Sequence, residues 1–216
     1  MPVLYLDLDG TVVDVWHRYY SVMKSFWERT LPAPCPELEE YRRLKLCFVD
    51  DRKLLRHWCR HSLLSEEEQQ MLIEGYNYHK RNMLECEGML KKDTLIGDLR
   101  SFISEVKPQY EVHLLSVRNR RMLAMEQLEW LNIAACLDRI AFVQPSRNQN
   151  PKLAYIKGSA GKRDVIIGDS ETDIECGTQL GLRTFHVSTG LRSYAYATRQ
   201  GKAIGLGDYS EVLSYL

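Results

Sequence analysis

The chain begins with the stretch Val3-Leu4-Tyr5-Leu6-Asp7-Leu8-Asp9-Gly10-Thr11, in which an apolar run leads into two aspartates and a glycine. An apolar run that ends in glycine is typical of a buried strand followed by a tight turn. In an open sheet of parallel strands, ligands bind at the carboxyl ends of the strands. The stretch therefore predicts a buried strand that carries Asp7 and Asp9 to a ligand-binding edge.

The second half of the chain alternates between strand and helix patterns. Apolar runs predict strands at 110–115, 139–143, 164–167 and 183–187. Helical periodicity predicts helices from Leu95 to Val106 and at 119–131, 151–158 and 171–180, with a short run near Ala203 and a last helix from about Asp208. This alternation is typical of a parallel sheet covered by helices on both faces. We therefore expect an α/β core with a Rossmann-like parallel sheet.

The pattern between residues 15 and 90 is helical only. An apolar stripe at helical spacing predicts a first helix; its members are Trp16, Tyr19, Tyr20, Met23, Phe26 and Trp27. The proline-rich stretch Leu31–Pro36 ends that helix, and further helices are predicted at about 37–46, 51–62 and 65–84. The sequence therefore predicts an all-helical insertion, residues 15–90, in a core formed by residues 1–14 and 91–216.

Composition excludes several classes of protein. The chain has 216 residues, of which 44% are hydrophobic and 27% charged, as in globular proteins. Lys plus Arg and Asp plus Glu are both 29, so net charge gives no reason to bind nucleic acid or an anionic membrane. Six scattered cysteines without a Cys-x-x-Cys pair favour reduced thiols over disulfides or zinc. We expect a cytoplasmic protein without a signal peptide or membrane span.

Polar side chains follow the predicted strands at the edge where ligands bind. They are Asp7, Asp9, Ser116, Asp169 and Asp173, with Lys152 at the start of a preceding helix. Because the carboxyl ends of parallel strands meet at one edge, we expect these carboxylates, the hydroxyl and the ammonium to converge on a single crevice.

This set of groups favours Mg²⁺-dependent phosphoryl transfer. Oxygen ligands suit Mg²⁺, and Asp7 and Asp169 can supply them. A neighbouring dication favours the ionised form of Asp7, which can then attack phosphorus. Asp9 can act as general acid and then as general base. Lys152 and Ser116 can hold the phosphate oxygens as charge develops.

At these residues the sequence resembles the phosphatase branch of the haloacid-dehalogenase-like (HAD) hydrolase superfamily. The first motif of that superfamily is matched by Asp7-Leu8-Asp9-Gly10-Thr11, and the fourth by Gly168-Asp169-Ser170-Glu171-Thr172-Asp173. Ser116 at a strand end matches the second motif and Lys152 the third. The order and intervals match over about residues 1–190.

The resemblance implies a role for each matched residue. Asp7 would be the nucleophile that forms an aspartyl-phosphate, and Asp9 the acid/base and a metal ligand through its carbonyl. Asp169 would bind the metal together with Asp7, and Asp173 would support it through water. The helical insertion looks like the mobile cap that this superfamily carries between its first and second motifs.

The phosphate-binding residues include the turn after the first strand. Gly10 lets backbone N–H groups approach the phosphate, so Gly10 and Thr11 are expected to bind it together with Ser116. The lysine has an alternative, because Lys157 lies five residues after Lys152. We prefer Lys152 because it starts the helix before the strand of the fourth motif.

The favoured function is a Mg²⁺-dependent phosphatase of a small phosphorylated metabolite. A phosphomutase of the same superfamily is the alternative, and a non-catalytic phosphate-binding or partner-binding module is a third. Asp9 argues against phosphonate hydrolysis, which usually lacks this residue, and against dehalogenation, which needs no proton for the leaving group. The sequence indicates no oligomeric state.

The insertion also carries a cationic stripe. Arg52, Arg56 and Arg60 recur every four residues, beside Lys53, His57 and His61. One interpretation is a solvated helix face offset by Glu66, Glu67 and Glu68. The other is that Arg52, Arg56 and His57 read a second anionic group of the substrate.

Overall fold

The computed structural model of the chain describes residues 1–48, 50–60 and 64–216, and these fall into two units. Met1–Val15 and Thr94–Leu216 form one, which we call the parallel-sheet unit. Trp16–Asp93 form the other, which we call the helical unit. The sequence placed the insertion at 15–90, so the bounds of the helical unit differ from it by one residue at the start and three at the end.

Eight strands belong to the parallel-sheet unit. They are β1 (Val3–Leu6), β2 (Val13–Asp14), β3 (Thr94–Leu95), β4 (Glu111–Val117), β5 (Arg139–Val143), β6 (Val165–Gly168), β7 (Arg183–Val187) and β8 (Ile204–Leu206). Six of them form a parallel sheet in the order β5-β4-β1-β6-β7-β8, and β2 pairs with β3 in an antiparallel ribbon. The predicted α/β class is confirmed.

The first strand lies in the middle of the sheet. Leu6 of β1 is opposite Leu114 of β4 on one side and Ile167 of β6 on the other, and all three side chains are fully buried. The strand order reverses at β1, which is where ligands bind in open α/β sheets. The residues that follow β1, β4 and β6 therefore meet at one edge.

Five helices flank this sheet within the unit. They are α6 (Leu99–Val106), α7 (Arg121–Trp130), α8 (Pro151–Ile156), α9 (Glu171–Leu180) and α10 (Tyr194–Ala197), numbered after the five of the helical unit. The tail that was predicted as a helix from Asp208 is a 3₁₀ helix, Tyr209–Ser214, which begins where the Asp208 carboxylate accepts from the backbone N–H of Ser210.

The helical unit contains α1 (Trp16–Thr30), α2 (Leu38–Phe48), α3 (Asp51–Cys59), α4 (Glu66–Met83) and α5 (Glu87–Leu90). Its core is aromatic: the rings of Phe26 and Tyr76 meet edge to face with centroids 5.4 Å apart, as do those of Trp27 and Trp58 at 5.3 Å. Among the residues that the structure describes, no helix is long and apolar enough to cross a membrane.

One predicted helix boundary is wrong. Leu95 was expected to begin a helix, but it lies in β3 opposite Val13. Gly97 adopts a left-handed conformation with φ of 62°, and the Asp98 carboxylate accepts from the backbone N–H groups of Arg100 and Ser101. The glycine turn and this N-cap start α6 at Leu99 instead.

A charged cluster lies among the helices of the helical unit. The Asp51 carboxylate at the start of α3 contacts the ammonium groups of Lys45 and Lys80. Burial alone would raise the pKa of Asp51, but Lys80 and Lys45 hold it well below its ordinary value. The cluster joins α2, α3 and α4 through one carboxylate.

We expect Asp51→Asn to destabilise the protein by about 3 kcal/mol, because it removes the carboxylate that both ammonium groups contact. Chemical denaturation at pH 7 would measure the change. The adjacent Asp50→Asn is the matched control: Asp50 is exposed and caps α3 by accepting from the N–H of Arg52, and Asn caps helices about as well. Equal losses of stability in the two variants would contradict the prediction.

Candidate active site

Three buried carboxylates meet at the edge of the sheet where β1 and β6 end. Asp7 follows β1, and its N–H donates to the Ile167 carbonyl of β6 at 3.0 Å. Asp169 follows β6, and Asp173 lies in the first turn of α9. One oxygen of each carboxylate lies within 4.8 Å of the others. We call Asp7, Asp169 and Asp173 the acidic cluster.

Lys152 places a cation inside the acidic cluster. Its ammonium lies 2.8 Å from Asp7 Oδ1 and 2.6 Å from Asp173 Oδ1, and the side chain is buried. Asn150 caps α8 by accepting from the N–H of Lys152, and its Nδ2 donates to the Thr172 carbonyl at 2.7 Å. The start of α8 is therefore hydrogen-bonded to α9, the helix that carries Asp173.

The alternative lysine lies elsewhere. Lys157 ends α8 and is exposed, whereas Lys152 is only 1% exposed. The geometry therefore favours Lys152 as the lysine of the site.

Burial sets the electrostatics of the acidic cluster. It raises the pKa of Asp7 to about 7, an effect that Lys152 opposes and Asp173 strengthens. Burial, followed by the charges of Asp7 and Asp173, also raises the pKa of Asp169 well above its ordinary value. For Lys152 burial alone would lower the pKa, but Asp173 and Asp7 raise it above the usual range. The raised pKa values of Asp7 and Asp169 indicate that the single Lys152 ammonium does not fully offset the negative charge of the three carboxylates.

The donor set fits a divalent hard cation. When all three buried carboxyls are ionised, they exceed the one buried ammonium by two negative charges, which a dication would offset. Carboxylate oxygens are the ligands that Mg²⁺ prefers. Asp7 and Asp169 would hold the ion, with Asp173 beside them.

Asp9 is not one of the three carboxylates of the acidic cluster and contacts an arginine. The Asp9 carboxylate, which is about a quarter exposed, accepts from Nη2 of Arg118 at 2.5 Å. Sequence reasoning missed Arg118; the available signal was a basic residue two positions after Ser116, at the end of β4.

Ser116 lies at the same edge of the sheet. It is buried on β4, two residues beyond Leu114, which pairs with Leu6 of β1. Since Asp7 follows Leu6, the register brings the end of β4 beside the start of the acidic cluster.

The turn after β1 makes a close contact with Asp169. Gly10 has a φ of 75°, and a Cβ there would lie 2.7 Å from Asp169 Oδ2. The Gly10 carbonyl accepts from the Thr189 hydroxyl at 2.6 Å. Thr11 is fully buried. Gly10 is therefore required by both its conformation and its neighbour.

The segment after β7 also positions Asp169, which the sequence did not indicate. The N–H of Leu191 donates to Asp169 Oδ2 at 2.8 Å. A Cβ on Gly190 would lie 1.9 Å from the same oxygen. A larger residue than glycine would therefore displace the Asp169 carboxylate.

The predicted specificity residues lie on α3 in the helical unit. Arg56 and His57 line an open groove of about 450 Å³, which we call the basic groove; its described lining is Phe48, Lys53, Arg56, His57, Arg60 and Gln69. Arg52 is exposed on the same helix but is not part of this lining. His61 lies outside the described residues.

Comparisons with known proteins agree with this fold. A family model of HAD-hydrolase-like proteins matches residues 140–204, which include Lys152, Asp169 and Asp173. Among curated proteins, no sequence match to this chain reaches significance.

Solved structures similar over the whole chain share its fold. A haloacid-dehalogenase-like hydrolase from Streptococcus pneumoniae is 17% identical with a TM-score of 0.68, covering 100% of this chain and 98% of its own. A predicted phosphoglycolate phosphatase from Haemophilus somnus is 15% identical with a TM-score of 0.67, covering 100% and 97%. A candidate β-phosphoglucomutase from Thermotoga maritima is 18% identical with a TM-score of 0.63, covering 100% and 98%. The predicted resemblance to HAD-like hydrolases is confirmed by the family model, and the solved structures show the same fold.

Mg²⁺ should raise the melting temperature of the protein, and more at pH 8 than at pH 5. The pKa of Asp7 is raised from 3.8 to about 7, so its ionisation costs folded stability progressively between those values. The metal offsets this cost only where the carboxyl is ionised. At one hundred times its dissociation constant we expect a shift of about 5 °C or more at pH 8.

Two variants control this measurement. Asp7→Asn should weaken the response to Mg²⁺ and flatten its pH dependence. Asp98→Asn, which changes a helix-capping carboxylate in the same unit, should respond to the metal as the wild type does. A thermal shift of the same size at both pH values would contradict the assignment.

Proposed function

We propose that the chain is a Mg²⁺-dependent phosphatase that hydrolyses a small-molecule phosphomonoester through an aspartyl-phosphate on Asp7. The observation that supports it most is the Lys152 ammonium in contact with Asp7 and Asp173 inside the acidic cluster. A buried nucleophile with positive charge beside it is suited to attack an anionic ester.

In the first half of the proposed reaction, a carboxylate oxygen of Asp7 bonds to phosphorus. The bond from phosphorus to the ester oxygen breaks, and that oxygen takes a proton from Asp9. Lys152 and Ser116 hold phosphoryl oxygens meanwhile. Mg²⁺ held by Asp7 and Asp169 would supply positive charge toward the phosphoryl group and toward the ionised nucleophile.

In the second half, the Asp9 carboxylate takes a proton from a water molecule. The water oxygen bonds to phosphorus, and the bond from phosphorus to Asp7 breaks. Inorganic phosphate leaves, and both aspartates return to their starting forms. One residue can thus act as acid and then as base.

The proposal also includes the role of the helical unit, the class of substrate and the location of the protein. The helical unit would act as a cap that excludes bulk water, and the substrate would be a small phosphorylated metabolite rather than nucleic acid or a membrane lipid. A cytoplasmic location fits six cysteines that form no disulfide.

Asp7→Asn should lower kcat for p-nitrophenyl phosphate in Mg²⁺ by about 10³-fold or more, because it removes the nucleophile. Release of p-nitrophenol would be followed by absorbance. Asp208→Asn, a change at a half-buried capping carboxylate, should leave the rate unaltered. Turnover by Asp7→Asn at the wild-type rate would exclude the aspartyl-phosphate.

The second candidate is phosphoryl transfer to a sugar hydroxyl instead of water. The observation that favours it is the similarity in fold to the candidate β-phosphoglucomutase. Phosphosugar substrates distinguish the two: a hydrolase releases phosphate, whereas a mutase yields an isomer without release.

The basic groove supports a proposal about the substrate. Arg56 lines it and has no carboxylate within ion-pair distance among the described residues, so its charge is available to a second anionic group. We expect Arg56→Glu to raise KM roughly tenfold, or 1.4 kcal/mol, for esters that carry such a group. The KM for p-nitrophenyl phosphate should not change.

Arg52→Glu is the matched comparison, because it makes the same charge change on the same helix outside the groove lining. If only Arg56→Glu raises KM selectively for esters with a second anionic group, recognition belongs to the basic groove. If Arg52→Glu does so as well, recognition belongs to the whole cationic stripe. Equal changes in KM for both esters would contradict the proposal that the basic groove binds a second anionic group.

A further inference from the structure

Arg118 is a buried arginine held at the end of β4. Its backbone N–H donates to the Val143 carbonyl of β5 at 2.9 Å, and the residue is 1% exposed. Nη2 of its guanidinium donates to Asp9 Oδ1 at 2.5 Å and to Gln127 Oε1 at 3.0 Å. Gln127 lies on α7 and is also buried. The side chain therefore links α7 to the turn after β1.

The remaining donors of Arg118 indicate that its contact with Asp9 has a functional role. Nε and Nη1 are buried and have no hydrogen-bond partner among the described residues. Buried N–H groups are nearly always paired, and leaving one unpaired is costly. If Arg118 served packing alone, an apolar side chain of similar volume would fill its place without that cost. The guanidinium is thus explained by the group that it holds, Asp9.

Asp9 needs to be held because of where it lies. It precedes the left-handed Gly10, and its side chain is about a quarter exposed. A carboxylate in such a turn can occupy several rotamers, whereas proton transfer requires one oxygen to face the leaving group. The contact of Arg118 with Oδ1 restricts the rotamer of Asp9 and so limits the directions that Oδ2 can take.

We propose that Arg118 is a positioning residue, which orients the Asp9 carboxylate for proton transfer to the leaving oxygen, and that Gln127 orients Arg118 in turn. The inference rests on the proposed phosphatase function. Arg118 neither gives nor takes a proton: the proton moves from Asp9 to the ester oxygen as the bond to phosphorus breaks. Arg118 acts by restricting the geometry of that transfer.

The test compares two esters that need the proton to different degrees. Glycerol phosphate releases an alkoxide, which needs protonation, whereas p-nitrophenyl phosphate releases a stable anion that does not. Arg118→Met replaces the apolar stem of the side chain but removes its donors. It should lower kcat for glycerol phosphate roughly 10²-fold, the lower range of general-acid contributions, and for p-nitrophenyl phosphate only about threefold, with KM unchanged for both.

Further variants separate positioning from other roles. Arg118→Lys should restore part of the rate on glycerol phosphate, and Gln127→Leu should act in the same direction as Arg118→Met but less. In an Asp9→Asn background, Arg118→Met should not lower kcat for glycerol phosphate any further, because the oriented proton donor is already absent. Arg183→Met is the control: Arg183 donates to the Tyr215 carbonyl, far along the chain from Asp9, and both rates should be unchanged.

Three results would overturn the inference. The first is that Arg118→Met lowers kcat equally for both esters. The second is that it raises KM without lowering kcat. The third is that its effect on kcat adds fully to that of Asp9→Asn. If Arg118→Met lowers the melting temperature too far to assay, Arg118→Lys and Gln127→Leu carry the same comparison. A wild-type protein that hydrolyses neither ester would instead reject the phosphatase function itself, and this inference with it.

Discussion

The contact of the Lys152 ammonium with Asp7 and Asp173 holds the site together. Bringing carboxylates within 4.8 Å of one another away from water is unfavourable, and Lys152 supplies the positive charge that touches two of them. The contact joins the end of β1, the start of α8 and the first turn of α9. The carboxylates that are unfavourable to bring together are therefore the same groups to which the proposal assigns the binding of an anionic ester and a dication.

The helix caps around this contact serve the site as well as the helices. Asp173 accepts from the N–H and hydroxyl of Ser170 with Oδ2, which completes a capping box on α9, while Oδ1 faces Lys152. Asn150 caps α8 and reaches the Thr172 carbonyl of α9. Since capping holds Oδ2 of Asp173 at Ser170, Oδ1 is left to contact Lys152.

Much of this arrangement was predictable because it is local in sequence. The apolar run before Asp7 and the strand that ends at Gly168 identify the two strands that carry carboxylates, and the alternation of strands and helices identifies the sheet. The helix expected from Leu95 was wrong because apolar periodicity cannot distinguish a short ribbon from a helical turn. There Gly97 and Asp98 were the better signals.

The parts that the sequence did not predict depend on contacts between distant segments. Arg118 meets Asp9 across 109 positions, through the register of β4 beside β1. Gly190 and Leu191 meet Asp169 because β7 lies beside β6. No spacing rule within one segment gives such pairs, so a residue that orients another is harder to find than one that belongs to a motif.

The helical unit shows how a neutral total charge can conceal local function. One side of α3 is required for folding: Leu54 and Leu55 are buried, and Asp51 contacts two lysines. On the other side Arg56 and Arg60 are exposed, and in the described part of the chain no carboxylate lies within ion-pair distance of them. Because packing does not use these charges, the fold leaves them available, and a ligand with a second anionic group is what would make use of them.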